Sequence, residues 1–368
     1  MPFAIENPPA SMHAHSTLLP VSTLSMIKFP FLALLAGLLL LRFPAPAQET
    51  SITYHGKDGP GKGKRIVFLA GDEEYRSEEA LPMMAKILSQ RHGFDCTVLF
   101  SLNPDGTIDP KNTQSLGDAE ALDSADAIFM LLRFRNWPEE ALAHFEKAYL
   151  AGKPIIGLRT STHAFKGNRL ERFGKTVLGE QWVSHWGKHK SEATLAVVEP
   201  SAKDDPLFRG VGEIFGLSDV YEAYPPADAK ILLRGQVLKG MTPDSGPADE
   251  VKKRSTDKQE QGVNDPMMPI AWTRNFKNPS GNTNRIFCTT MGAATDLENE
   301  GLRRLLANAV YWGLGLEIPA KADVAYVDPY DPSFFGFGAE RKGLKVSDLE
   351  LGKALSGQPT PKPASAKQ

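Results

Sequence analysis

Two histidines in the segment SHWGKHK have a spacing that suits acid–base or metal chemistry. His185 and His189 lie four residues apart, so both imidazoles could reach one metal ion if the segment were helical. Gly187 between them weakens such a helix. We therefore favour a neutral imidazole pair that hydrogen-bonds ligand hydroxyls, and we expect no cofactor, with a divalent metal as the alternative. Trp186 suits the apolar face of a sugar ring, with core or surface packing as the competing interpretation.

The segment KPIIGLRTSTHAF predicts a buried strand that ends in a sharp turn at Arg159. In several α/β hydrolytic folds the residue at this position is a nucleophile, but a guanidinium stays protonated and does not attack. Its fixed fork of donors suits a carboxylate, an oxyanion or vicinal hydroxyls. Thr160, Ser161 and His163 follow the turn, and the closeness of Ser161 to His163 in sequence is no indication of a catalytic pair.

Charged side chains also follow the first and third predicted strands. The segment GDEEYRSEE supplies Asp72, Glu73, Tyr75 and Arg76, and the segment RFRNW supplies Arg133. Arginines gathered at one edge of a sheet repel one another unless carboxylates or a ligand lie between them. Asp72 and Glu73 are the expected partners.

The carboxyl ends of parallel strands converge on one crevice, and ligands of open α/β sheets bind there. The catalytic candidates are His163, His185 and Asp72, because an imidazole can move a proton at near-neutral pH. The residues expected to bind the substrate are Glu73, Tyr75, Arg76, Arg133, Arg159, Thr160, Ser161, Trp186, His189 and Thr290. A non-catalytic binding module with the same pocket and no proton carrier is the alternative.

Apolar runs and amphipathic segments alternate regularly in the first half of the chain. The strands are predicted at KRIVFLAG, FDCTVLF, ADAIFMLLRF and PIIGLR, and helices are predicted at 77–91 and 138–150. Strands that are apolar throughout are typical of a parallel sheet covered on both faces. The predicted fold is therefore α/β, with three layers and a mostly parallel open sheet.

The second half is less regular. Further strands are predicted at ATLAVVEP, AKILLRGQVL, MMPIAWTR and NRIFCTTM, and a closing helix at 298–313 is expected to be capped by Thr295 or Asp296. The polar segment 246–262 reads as an exposed loop. After Gly315 the chain is rich in proline, and the aromatics of PSFFGFG are expected to dock on the domain. The last dozen residues have the composition of a disordered tail.

The N-terminal residues have the layout of a secretory signal. A short basic segment begins at Met26, an apolar run spans 29–41, and Ala45 and Ala47 provide small residues for a signal peptidase. The apolar run is shorter than the roughly 20 residues of a spanning helix. We expect an exported protein, with a signal region at 1–47, a linker at 48–63, one domain at 64–316 and a Pro-rich tail at 317–368. Translation could start at Met1 or at Met26.

Composition narrows the class of partner. Lys and Arg number 42 and Asp and Glu number 44, so no global charge attracts nucleic acid, and a small-molecule ligand is expected. No membrane span is expected after removal of the signal, and the sequence indicates no oligomeric state. Cys96 and Cys288 lie in separate apolar strands, which predicts buried free thiols and not a disulfide.

The chain resembles the ThuA-like family, named for trehalose utilisation, from about residue 64 to residue 316. The segments that carry the resemblance are RIVFLAGDEEYRSEEALP, AGKPIIGLRTSTHAF, HWGKHKSEAT, DDPLFRGV, MMPIAWTR and RIFCTTMG…GLRRLLANAVYWGLG. The resemblance implies the fold of class I glutamine amidotransferases, which is flavodoxin-like, and a role in carbohydrate metabolism. Amidotransferases have a Cys at the place of Arg159, so the thioester chemistry of glutamine hydrolysis is not expected. ThuA-like proteins often have His, Asp and His where this chain has Arg159, His163 and Ala293.

Overall fold

The computed structural model describes residues 49–366. Within them the chain forms fourteen strands, whose bounds are β1 Ser51–Tyr54, β2 Arg65–Gly71, β3 Asp95–Phe100, β4 Ala127–Leu132, β5 Ile155–Leu158, β6 Ser184–His185, β7 Thr194–Val198, β8 Phe215–Gly216, β9 Tyr221–Glu222, β10 Lys230–Val237, β11 Val251–Lys253, β12 Glu260–Gly262, β13 Met268–Lys277 and β14 Thr283–Thr289. Three α-helices accompany them, with bounds α1 Ser77–His92, α2 Glu139–Leu150 and α3 Glu300–Leu314.

One ten-stranded sheet organises the molecule, in the order β1-β3-β2-β4-β5-β14-β13-β10-β7-β8. Its centre, from β3 to β14, is parallel, and the strands beyond β14 continue it in antiparallel pairs. The predicted α/β class with an open sheet is confirmed. The less regular second half of the sequence supplies the antiparallel part, which makes the sheet mixed.

Helices cover both faces of the parallel centre and create three layers. On β2, Phe68 points into the core under α1 and α3, whereas its neighbour Leu69 lies in the core under α2. Alternate residues of one strand therefore enter opposite cores, which is why the central strands are apolar throughout. Cys96 and Cys288 are buried free thiols, as predicted.

Three features differ from the expectations. Residues 48–63 were expected to form a linker, but β1 lies within them and pairs with β3 at the edge of the sheet. The polar segment 246–262 contains a short hairpin of β11 and β12. The side chain of Asn299 caps α3 by accepting the Leu302 N–H at 2.9 Å, while the expected cap Asp296 accepts backbone N–H groups of Gly292 and Ala293.

A segment after the closing helix runs back across the domain. We call residues 328–341 the C-terminal arm. The backbone N–H of Ser333 donates to the Glu79 carboxylate in α1 at 2.7 Å, and the ring of Phe335 is buried. The predicted docking of the PSFFGFG aromatics is therefore confirmed for Phe335.

The described residues contain no helix that is both long and apolar enough to cross a bilayer. The predicted signal region at 1–47 lies outside the described residues.

Candidate functional site

Arg159 lies directly after β5, in the sharp turn that the sequence predicts. Its backbone φ is +43°, which is uncommon for a residue with a side chain, and its side chain is fully buried. Nη1 donates to the carbonyl oxygens of Asp219 and Thr290 at 2.6 and 2.7 Å, and Nη2 donates to the Asp219 carboxylate at 3.0 Å. The expected ligand contact is thus corrected: the carboxylate that the guanidinium holds is the protein's own.

Two tyrosine rings enclose that guanidinium. Its carbon lies 3.8 Å from the ring centroid of Tyr221 and 4.5 Å from that of Tyr75. Tyr75 Oη also accepts a hydrogen bond from Arg159 Nη2 at 3.1 Å. Because Tyr75 is fully buried, it supports Arg159 and does not face a ligand, contrary to its predicted role.

Asp219 brings the two predicted imidazoles together. His185 Nδ1 lies 2.7 Å from Oδ2 of Asp219, and His189 Nδ1 lies 3.0 Å from Oδ1. The two imidazole centroids are 4.5 Å apart. No helix aligns the two residues, because His185 lies in β6, paired with Tyr221 of β9, and His189 follows in a turn. The meeting of the imidazoles therefore depends on a carboxylate contributed from 30 residues further along the chain.

Burial and neighbouring charges set the protonation of this cluster. Burial disfavours the ionised form of Asp219, but the charge of Arg159 and the imidazole hydrogen bonds outweigh it and hold the pKa of the carboxyl well below its usual range. Burial likewise opposes protonation of His189, yet its hydrogen bonds to Asp219 and Glu74 raise its pKa above 6.5. His189 Nε2 lies 3.3 Å from Oε1 of Glu74. His189 therefore holds a proton more readily than an ordinary histidine does.

His163 has the opposite character. Its ring contacts Phe134 and Trp182, with centroid separations of 4.9 and 5.7 Å. Desolvation, reinforced by the positive charges of Arg133 and Arg159, lowers its pKa to about 3. His163 is therefore a neutral imidazole at neutral pH and can accept a hydrogen bond.

These groups belong to a closed circuit of side-chain contacts, which we call the polar ring. Trp182 contacts His163 on one side and His185 on the other, at 5.7 and 5.8 Å between ring centroids. Arg133 Nε, 3.6 Å from Oε2 of Glu74, closes the circuit on the far side. The members in order are Trp182, His163, Phe134, Arg133, Glu74, His189 and His185.

Backbone strain is concentrated around the polar ring. Among the described residues, six that are not glycine have positive φ. Four of these lie in the polar ring, within two residues of it, or at the sharp turn of Arg159, which we call the elbow: Arg76, Phe134, Arg159 and Lys190. For Phe134, with a bulky side chain at φ +51°, this conformation is costly. Strain of this kind persists where the surrounding structure enforces it, often at functional sites, which supports the assignment of the ring as the candidate site.

Two further predicted charges have partners within the protein. Glu73 ion-pairs with both Arg133 and Arg135, so a carboxylate does lie between the arginines, as predicted. Arg76 is fully buried and its Nη2 donates to the carbonyl oxygen of Gly336 in the C-terminal arm at 3.2 Å. Arg76 therefore anchors the arm, which corrects its predicted role in substrate binding.

Asp72 does not act as a catalytic residue in this arrangement. It is fully buried, and its Oδ1 accepts the backbone N–H groups of Glu74 and Tyr75 at 2.7 and 3.0 Å. The hydroxyl of Thr160 donates to Oδ2. Burial, together with the charge of Glu73, raises the pKa of Asp72. Both Asp72 and Thr160 hold the turn between β2 and α1, and neither expected role is supported.

Three other predicted substrate contacts lie in the interior. Ser161 Oγ donates to the carbonyl oxygen of Met130 at 2.9 Å. The indole of Trp186 is 1% exposed and donates to the carbonyl oxygen of Val263 at 2.8 Å, so the competing packing interpretation is correct. Thr290 is buried and uses its carbonyl oxygen to accept from the elbow guanidinium.

The imidazole pair and Asp219 are also where a metal ion could bind. One ligand atom from each of His185, His189 and Asp219 lies within 4.8 Å of the others. A cation bound there would compete with the hydrogen bonds that link Asp219 to both imidazoles, and it would lie close to the positive charge of Arg159. The arrangement is complete as an acid–base cluster, and the absence of a metal stays a prediction.

Four residues of the site were not among the predicted site residues. Glu74 adjoins the predicted Glu73, and Trp182 precedes the histidine pair in the segment QWVSHW, so proximity to a motif could have identified both. Asp219 lies in the segment SDVYEAYPP, which offers several candidate side chains without distinguishing among them, and Phe134 gave no local signal that distinguishes it from a core residue. Their roles depend on contacts between distant segments, such as the one from Asp219 to Arg159.

Comparison with known proteins identifies the family of the chain. Residues 65–313 match the ThuA family, described as trehalose utilisation. A ThuA-like protein from Parabacteroides merdae is similar at 14% identity over 70% of this chain and 92% of that one, with a TM-score of 0.47. A ThuA-like protein from Bacteroides uniformis is similar at 17% identity over 70% of this chain and 94% of that one, with a TM-score of 0.43. No curated protein matches the sequence. Because the family match extends over more than half of the chain, the protein belongs to the ThuA family.

Proposed function

We propose that this ThuA-like protein acts on a carbohydrate, or on an oxidised sugar derivative, at the polar ring. The observation that carries the proposal is the pair of imidazoles held on Asp219, with the neutral His163 across Trp182. The family's description as trehalose utilisation supports the choice of a sugar. Trp182, 39% exposed between two imidazoles, supports it independently, because an aromatic face binds the C–H face of a sugar while imidazoles bind hydroxyls.

The mechanism that fits these groups is general acid–base catalysis. His189, whose pKa is raised, would donate a proton to the ligand after its Nε2 exchanges Glu74 for a ligand oxygen, and the neutral His163 would accept a hydrogen bond from a ligand hydroxyl. Arg159 would act only through Asp219, as a positioning residue.

Turnover of defined sugars tests the proposal. Trehalose, other disaccharides and their keto derivatives would be incubated with the full chain, with and without EDTA or added Zn²⁺. His163→Ala and His189→Gln should each lower turnover by about 100-fold or more. His144→Ala is the matched control, because His144 also bonds a carboxylate, that of Asp123, but lies on α2 away from the ring. Full turnover in both ring variants would refute the acid–base mechanism, and loss of turnover with EDTA would replace it with a metal-dependent one.

A binding module is the second candidate. The turn at Arg159 favours this candidate. The position that carries a nucleophile in several α/β hydrolytic folds holds a guanidinium here, and that guanidinium is hydrogen-bonded to Asp219 of the protein itself. In that case calorimetry would detect saturable binding of a sugar that is not converted even after prolonged incubation. Conversion of any bound sugar would exclude this candidate.

We also propose that the protein is exported. The support is the basic, apolar and small-residue order from Met26 to Ala47. Expression of the full sequence in a bacterial host, followed by mass spectrometry of the extracytoplasmic fraction, should detect a mature chain that begins at Gln48. An uncleaved chain confined to the cytoplasm would contradict this.

A further inference from the structure

The C-terminal arm lies beyond the family match, which ends at residue 313, yet it is joined to the polar ring. The backbone N–H of Gly336 donates to the carbonyl oxygen of Glu74 at 2.7 Å. The ring of Phe335 packs against His189, with 5.5 Å between centroids, and is 1% exposed. The arm therefore forms one wall behind the ring, and its position is fixed by a ring residue.

Two residues further on, Phe337 has the opposite orientation. It is 62% exposed, and its ring centroid lies 4.9 Å from the guanidinium carbon of Arg133, a member of the polar ring. Gly336 and Gly338 on either side have φ +147° and +76°, conformations that favour glycine. The backbone between them is thus built so that Phe335 points inward while Phe337 stays in solvent.

In the part of the chain that the structure describes, exposed aromatic side chains are rare, and the two that occur belong to the polar ring or contact it. Among the described residues, five large hydrophobic side chains are exposed, and only Trp182 and Phe337 are aromatic. Trp182 is a member of the polar ring between His163 and His185, and Phe337 contacts Arg133, another member. An exposed aromatic side chain beside a polar site indicates a binding surface more strongly than an isolated one elsewhere on the protein.

We propose that the C-terminal arm provides a second binding subsite, in which Phe337 stacks on a second saccharide unit. The first unit binds at Trp182 and the imidazoles. The inference rests on the proposed function and extends it, because it requires a ligand with at least two sugar rings. Phe337 acts as a specificity-determining residue and not as a catalytic one.

Calorimetry with two-ring and one-ring probes tests this. Trehalose and maltose would be compared with glucose on the full chain. Phe337→Leu keeps an apolar cover over Arg133 but removes the flat ring, so it should weaken two-ring binding about two- to tenfold and leave glucose binding unchanged. Phe337→Trp should retain wild-type affinity. Leu351→Ala is the control, since Leu351 is also an exposed apolar residue near the C-terminus.

The outcomes separate the two proposals. If Trp182→Leu weakens both kinds of probe while Phe337→Leu changes neither, the sugar site stands and the second subsite is refuted. If Phe337→Leu weakens glucose and the disaccharides equally, the arm binds the first unit and the proposed subsite is also refuted. If the wild-type chain binds none of these sugars, the proposed function fails for them and the subsite fails with it.

Discussion

The guanidinium of Arg159 and the carboxylate of Asp219 form an ion pair in which neither side chain is exposed to solvent. Nη2 and Oδ1 are 3.0 Å apart, and the same carboxylate holds His185 and His189. The elbow residue is thereby connected to both imidazoles through one shared acceptor. A positive charge in the interior orients the site without touching a ligand.

Arg159→Ala should lower the free energy of unfolding by about 3–5 kcal/mol, because it leaves the buried Asp219 charge without its partner. Urea unfolding followed by circular dichroism measures this. An Arg159→Ala/Asp219→Ala double variant should lose less than the sum of the two single changes, since the pair is coupled. Additive losses would mean that the ion pair contributes little.

The two sides of the polar ring should titrate differently. In NMR titrations of the imidazole C–H signals, His189 should titrate above pH 6.5, because Asp219 and Glu74 stabilise its charged form. His163 should stay neutral down to about pH 4, since its pKa is about 3. Coincident titration of the two histidines near pH 6.5 would contradict the electrostatics described here.

Glu74→Gln serves as the matched perturbation for that titration. The change removes a negative charge 3.3 Å from Nε2 of His189 and keeps the shape of the side chain. The pKa of His189 should fall, while the signal of His163 should not begin to titrate in the same range. A constant pKa for His189 would show that Asp219 alone sets it.

A buried carboxyl at the start of α1 should make stability depend on pH. Glu78 lies 3.5 Å from Nη1 of Arg76, and burial raises its pKa to about 7. Between pH 4.5 and 7 the folded state binds a proton that the unfolded state has released, so the free energy of unfolding should decrease as pH rises. Glu78→Gln should reduce this decrease in urea unfolding measured across that range.

Glu140→Gln is the control for that experiment, because Glu140 is also in the first turn of a helix but is exposed. It should leave the pH dependence unchanged. If Glu78→Gln and Glu140→Gln have equal slopes, the proton uptake on folding occurs elsewhere.

The docking of the C-terminal arm should depend on Phe335. Phe335→Ala removes a ring whose centroid lies 5.3 Å from that of Tyr75. The change should destabilise the docked arm by about 3 kcal/mol. Faster hydrogen exchange at the Gly336 N–H, which donates to Glu74, reports this loss. Phe337→Ala, at an exposed position, should change the exchange little. Equal exchange in the two variants would indicate that backbone contacts alone hold the arm.

The sequence predicts the central fold well, because continuous apolar runs such as RIVFLAG have few alternatives to a buried strand. The predicted strand positions at β2 to β5 agree with the structure to within a few residues. The sequence does not predict β1, a short strand with the residues SITY that lies half-buried at the edge of the sheet. Edge strands depend on the neighbour they pair with, here β3, and carry a weak signal of their own.

The candidate site is predicted only in part. His163 and Arg133 follow predicted strands, His185 and His189 share the segment SHWGKHK, and the structure brings all four into one ring. The burial of Asp72 and Trp186 could not be inferred, because residue type does not distinguish a polar group facing a cleft from one that closes a turn. Asp219 joins the site through tertiary contacts alone.

The conformation at position 159 limits what protein engineering can achieve there. An Arg159→Cys change intended to create an amidotransferase-like thiol would leave the buried carboxylate of Asp219 without its cation, and an uncompensated negative charge in the interior disfavours a thiolate. The left-handed backbone would stay strained without the donors that now anchor it. Conversion to thiolate chemistry would therefore require simultaneous redesign of the Asp219 loop and of both histidines.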